Sequence, residues 1–146
     1  MMHRTRVLFL CIHNSARSQM AEAFLNEYGS DNFMAESGGI EAGNLNPLAV
    51  QAMAEIGMDI SHYKAKSVFD LHKEGRRYDY VVAVCDEGNA ARCPVFPGQH
   101  KRLHWSLEDP SSFQGSEEER LDFTRKIRDQ IKSAVIQFIE NTDKNT

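Results

Sequence analysis

Two runs of uninterrupted apolar residues stand out along the chain, Val7-Leu8-Phe9-Leu10 and Tyr80-Val81-Val82-Ala83-Val84. Apolar side chains on both sides of a pleat suit strands that are covered on both faces, as in a parallel sheet. After the first strand, Arg6 to Leu10, comes a polar loop and then Ser18 to about Tyr28. There Met20, Ala21, Phe24 and Leu25 recur on one helical face and Gly29 offers a stop. Phe33-Met34-Ala35-Glu36-Ser37 predicts a second strand, and a helical crossover makes it parallel to the first. Asn46 as N-cap and Pro47 at the first helical position open a helix with an apolar face of Ala49, Val50, Met53, Ala54 and Ile56, ended by Gly57. A short helix is expected from Ser67 to about Lys73, and a further strand from Lys101 to Trp105. Glu117 to about Asn141 predicts a long amphipathic helix carrying Leu121, Ile127, Ile131, Val135, Phe138 and Ile139, with a frayed tail after it.

Strands alternating with helices give an α/β fold: a single doubly wound domain over residues 1–146, with a four-stranded parallel sheet flanked by helices. In such sheets ligands bind outside the carboxyl ends of the strands. Cys11, Ser37, Cys85 and the loop of Asp109 all follow proposed strands, so all are expected at that edge.

With 41% hydrophobic and 26% charged residues the chain reads as an ordinary globular protein. A net charge of -4 provides no basic field for nucleic acid, so a small target is expected. No apolar run approaches the roughly 18 residues of a membrane span, and Met1 to Arg6 is too short and polar for a signal peptide. A cytoplasmic, membrane-independent monomer is the expectation. Three cysteines are too few for a disulfide framework, and an odd count in a reducing compartment points to reactive thiols.

The chemistry concentrates after the first strand, in Cys11-Ile12-His13-Asn14-Ser15-Ala16-Arg17-Ser18. A cysteine and an arginine six positions apart are ordinary by chance, but here a strand precedes them and a helix follows. Backbone N–H groups from Ile12 to Ser18, together with the helix start, form a cradle for a tetrahedral oxyanion, and Arg17 can grip two of its oxygens. The same positive environment, with a hydrogen bond from Ser18, is expected to keep Cys11 largely as thiolate. Asp109, before Pro110, is a candidate general acid over that cradle, with Glu108 the competing carboxylate. His13 is expected to be solvated, as are Arg76-Arg77 and Lys101-Arg102, unless an acidic partner covers one of these pairs. His62, His72, His100 and His104 have no metal-ligand spacing, so no metal site is expected.

This loop with the distant Asp109-Pro110 resembles the low-molecular-weight protein tyrosine phosphatase fold family, whose loop is C-x5-R-S and whose acid is the aspartate of a late Asp-Pro. More of the chain is similar to its thioredoxin-coupled arsenate reductase branch. The matching stretches are Arg17 to Glu22, Ser37 to Glu41, Leu45-Asn46-Pro47, Ile56 to Ser61, Val81 to Cys85, Cys93-Pro94 and His104-Trp105 through Pro110.

The resemblance implies that Cys11 attacks arsenic while Asp109 assists loss of water. Cys85 would then attack Cys11 and release arsenite, and Cys93 would attack Cys85, leaving a disulfide for thioredoxin or a similar thiol reductant. The segment from Asp86 to Arg92 would rearrange during turnover. Cys85 and Cys93 are surplus to ester hydrolysis, which needs only Cys11, Arg17 and Asp109. Hydrolysis through a phosphocysteine is the alternative reading. Against it, Ser111-Ser112-Phe113 replaces the tyrosine pair that such phosphatases often carry, and Gln19 their usual proline. A non-catalytic oxyanion or redox sensor would leave the aspartate loop without a purpose.

Two positions depart from the reductase pattern. Ala16 stands where many members have a second loop cysteine, which the relay does not use. Lys66 falls about where some reductases have an aspartate that binds potassium with the equivalents of Asn14, Glu22 and Ser37. An ammonium there would repel or replace the cation, so no potassium dependence and no cofactor beyond the reductant are expected.

Overall fold

The computed structural model describes residues 4–12, 16–40, 43–85 and 96–143. Its strands are β1 (Thr5–Cys11), β2 (Phe33–Gly39), β3 (Tyr80–Ala83) and β4 (Lys101–His104), and its helices are α1 (Arg17–Tyr28), α2 (Pro47–Ala54), α3 (Val68–Lys73) and α4 (Glu117–Asp143). The strands form one sheet in the order β2-β1-β3-β4, every neighbouring pair parallel.

β1 sits inside the sheet because its apolar run can be buried from both sides. Successive side chains of a strand point to opposite faces. Val7, Phe9 and Cys11 therefore pack with Met20 and Phe24 of α1 and with Ile127, Ile131 and Val135 of α4. Leu8 and Leu10 pack the other way, with Val68 and Leu71 of α3 and with Val81 and Phe96. Each fully buried Leu or Phe contributes about 1.5–3 kcal/mol relative to an exposed one. Helices cover both faces, as a doubly wound sheet requires. No helix among the described residues is long and apolar enough to cross a membrane.

The register aligns the strand ends. Leu10 stands opposite Gly38 on one side and Ala83 on the other, and Ala83 stands opposite His104. Pairing continues past β3 and β4, since the Val84 amide donates to the Leu10 carbonyl and the Trp105 amide to the Ala83 carbonyl, both at 2.8 Å. The chain thus leaves β1, β3 and β4 at one edge of the sheet.

Several expectations need correction. β2 runs on to Gly39, so Ser37 lies within the strand, opposite Phe9, and does not follow it. Gly29 ends α1 as expected, its amide donating to the Leu25 carbonyl, but with φ -122°, outside the left-handed region. Crowding explains the glycine instead: a Cβ there would lie 2.9 Å from Phe33 Cδ2 and 3.1 Å from Leu25 Cδ1. Arg76 is only partly solvated, because its guanidinium pairs with Glu36 and, at 2.8 Å, with Glu74. The 3-10 turn at Pro110–Ser112 was not legible in the apolar pattern.

Candidate active site

Cys11 is the last residue of β1, buried at 2% exposure, and is not disulfide-bonded. Its Sγ lies 2.9 Å from Ser18 Oγ. A thiolate can only accept, so in that state Ser18 is the donor. Ser18, buried one residue into α1, has no solvent to compete for this bond.

Arg17 opens α1 and is also buried, at 6% exposure. Its Nη1 donates to the Leu107 carbonyl at 2.8 Å, and its Nη2 stands 3.8 Å from Asp109 Oδ2. That anchor spends one of five donors and fixes the guanidinium plane, leaving the rest of the fork for an anion. Ala16 supplies no side-chain cap and no acidic residue occupies the first turn of α1. The N–H groups of a helix start lack intrahelical partners and carry partial positive charge, so this end favours an oxyanion.

Between the two candidate carboxylates the structure discriminates. Glu108 is exposed, whereas Asp109 is half-buried beside Arg17. The Asp109 carbonyl accepts the Ser112 amide at 3.0 Å and the Ser112 hydroxyl at 2.7 Å, which locks the Asp-Pro turn. Phe113 stacks on Phe123 with ring centroids 4.8 Å apart, so the aromatic after the turn packs against α4.

Cys85 is fully buried and belongs to the same apolar cluster as Cys11. It follows Val84, whose amide pairs with Leu10, so Cys85 lies one residue past the level of Cys11 on the adjoining chain. Adjoining strands are about 4.8 Å apart. Cys85 is disulfide-bonded, and its carbonyl lies 2.8 Å from His104 Nε2. The His104 contact was missed from sequence. Its signal was the parallel pairing of β3 with β4, which sets His104 opposite Ala83.

Glu22, Ser37 and Lys66 converge as well. Glu22 Oε1 accepts Ser37 Oγ at 2.8 Å and lies 3.4 Å from Lys66 Nζ. Lys66 is held there by its own backbone, whose carbonyl accepts the Gly39 amide at 2.9 Å. Of the proposed cradle, Ile12, Ala16, Arg17 and Ser18 are described. His13, Asn14 and Ser15 lie outside the described residues, as do Cys93 and the segment from Asp86 to Arg92.

A buried cysteine closing a central strand, an arginine opening the next helix and an aspartate reaching over from a later loop define a class, and the chain belongs to it. It is a member of the low molecular weight phosphotyrosine protein phosphatase family, whose model matches residues 6–146. Within that family it is 42% identical over 134 residues to an arsenate reductase of Bacillus subtilis (strain 168), covering 92% of this chain and 94% of that one. A solved arsenate reductase in the phosphate binding state superposes with a TM-score of 0.74 at 30% identity, over 94% of this chain and 98% of that one. The thioredoxin-dependent arsenate reductase of Corynebacterium glutamicum gives 0.69 at 26% identity, over 98% of this chain and 63% of its own.

Proposed function

We propose that this protein is an arsenate reductase, working through a thiolate adduct at Cys11 and a relay from Cys11 to Cys85 to Cys93 that thioredoxin regenerates. The observation that carries the reading is a second cysteine, Cys85, disulfide-bonded on the chain adjoining the nucleophile. A phosphatase has no use for it.

Arsenate would bind against the start of α1 and the Arg17 fork. The Cys11 thiolate forms a sulfur–arsenic bond, and one arsenate oxygen leaves as water with a proton from Asp109. Cys85 then attacks Cys11 Sγ. The electron pair of the sulfur–arsenic bond passes to arsenic, which departs as arsenite, two electrons reduced, and a Cys11–Cys85 disulfide remains. Attack of Cys93 on Cys85 frees Cys11, and the dithiol reductant reduces the last disulfide.

Arsenate-dependent consumption of reductant, with thioredoxin, glutaredoxin and glutathione offered separately, tests the function. Sustained turnover with thioredoxin is expected. A kcat/KM for a phosphotyrosine peptide above that for arsenate would overturn the reading in favour of the phosphatase.

Ser18→Ala should slow alkylation of Cys11 by iodoacetamide at neutral pH, and arsenate turnover with it, by about tenfold, since a hydrogen bond to a charged group contributes about 1.5–3 kcal/mol. Equal alkylation rates would remove Ser18 from the site.

The site of Glu22, Ser37 and Lys66 does not fit a resident potassium ion, because an ammonium already neutralises the carboxylate a cation would need. Turnover is therefore expected to be the same in potassium and sodium salts. Lys66→Asp should create a potassium-stimulated enzyme, read as the ratio of rates in the two salts. A wild-type rate that rises sharply with potassium would contradict this.

A further inference from the structure

At the edge of the sheet opposite Cys11, where the chain enters β3 and β4, lies a cavity of about 580 Å³. That volume falls within the range of small-molecule sites, about 300–1,000 Å³. Its walls come from the end of α3, the turn into β3 and the turn into β4. Two glycines in the left-handed region, Gly75 at φ 78° and Gly98 at φ 116°, reverse the chain on either side.

Phe96, buried at 3% exposure, centres the lining, with edge-on contacts to His72 at 5.8 Å and Tyr78 at 5.2 Å and a tilted one to His100 at 6.5 Å. No carboxylate lines the cavity among the described residues. Arg76 is engaged with Glu36 and Glu74, but Arg77 is exposed and makes no ion pair among the described residues. His72 and His100 make ring contacts and no hydrogen bond among the described residues. Partial burial, aided by Arg102, lowers the proton affinity of His100. The Tyr78 hydroxyl is buried with no partner among the described residues, and a group left so is costly.

An uncommitted guanidinium, two imidazoles and an aromatic cluster around one concavity match a ligand with a flat ring and an anionic group. We propose that this cavity is a second ligand site, taking a small phosphorylated molecule with a planar ring, with the phosphate on Arg77 and the ring against the Phe96 cluster. It is separate from the Cys11 loop, at the other end of the strands.

Titration of the full chain with adenosine 5′-monophosphate, followed by amide NMR shifts, tests this. Saturable shifts are expected at Gly75 to Tyr78 and at Gly98 to His100. Inorganic phosphate should instead perturb Ile12 and Ala16 to Ser18. Arg77→Ala and, separately, adenosine in place of the monophosphate should each weaken binding about tenfold, the scale of one charge-assisted contact. Because Arg77 is exposed, its replacement should leave p-nitrophenyl phosphate hydrolysis within about twofold. Shifts confined to the Cys11 edge, absence of saturable binding, equal binding by Arg77→Ala, or adenosine binding as tightly as the monophosphate would each overturn the proposal.

Discussion

Cys11→Ser is expected to abolish both arsenate reduction and p-nitrophenyl phosphate hydrolysis, lowering kcat by at least about 10⁴-fold, as removal of a catalytic nucleophile does. A serine hydroxyl is not ionised at neutral pH. The change should leave the fold intact, because serine is nearly the size of cysteine and its hydroxyl can keep the bond to Ser18, 2.9 Å away in the parent. Binding of inorganic phosphate should therefore persist within a few-fold, since the Arg17 fork and the start of α1 make the anion contacts. Calorimetry of phosphate binding beside the two activity assays checks both halves. Retention of more than about 1% of either activity would remove Cys11 from the nucleophile's role.

The division of labour behind that expectation follows from the sheet. A strand buried on both faces cannot hold a charged nucleophile along its length, but its last residue can face a polar loop while its neighbours keep it fixed. Arg17 is held in the same way, by a carbonyl from the loop after β4, so the anion's partners are tied to separate strands of one rigid sheet. The site thus has little orienting entropy left to lose when an oxyanion arrives.

Most of this was legible in the sequence because it rests on local signals. The apolar run before Cys11, the C-x5-R spacing and the cap at Asn46 each act within a few residues, and the structure places the elements there, with the Asn46 side chain accepting the cap hydrogen bond. Strand pairing is nonlocal, and the errors gather there. The strand of Phe33 was ended at Ser37 because the apolar pattern gives out at Gly38-Gly39, whereas pairing with Leu10 and Cys11 carries the strand on. Arg76 read as solvent-facing because its partner Glu36 is 40 positions away, and His104 was passed over because its contact with Cys85 depends on register. Asp109 was chosen over Glu108 through the Asp-Pro resemblance, and it is Asp109 whose carboxylate stands beside Arg17.

Replacing Cys85 should separate two activities that share one nucleophile. Cys85→Ser and Cys85→Ala are expected to hydrolyse p-nitrophenyl phosphate at close to the parent rate while losing thioredoxin-supported arsenate turnover by at least about 10²-fold, because no other described thiol adjoins Cys11 to release arsenite. Cys85 is fully buried, and burying a hydroxyl there can cost about 1–3 kcal/mol, so the alanine variant controls for a stability loss confined to serine. Cys93→Ser should behave differently. It is expected to release one equivalent of arsenite per protein and then stall with Cys11 and Cys85 joined, a state that thiol titration and peptide mapping identify. The order of the relay thus becomes visible as a burst without turnover in one variant and no burst in the other. Sustained arsenate reduction by both variants would remove the relay, and a burst from Cys85→Ser would reverse the order of the two thiols.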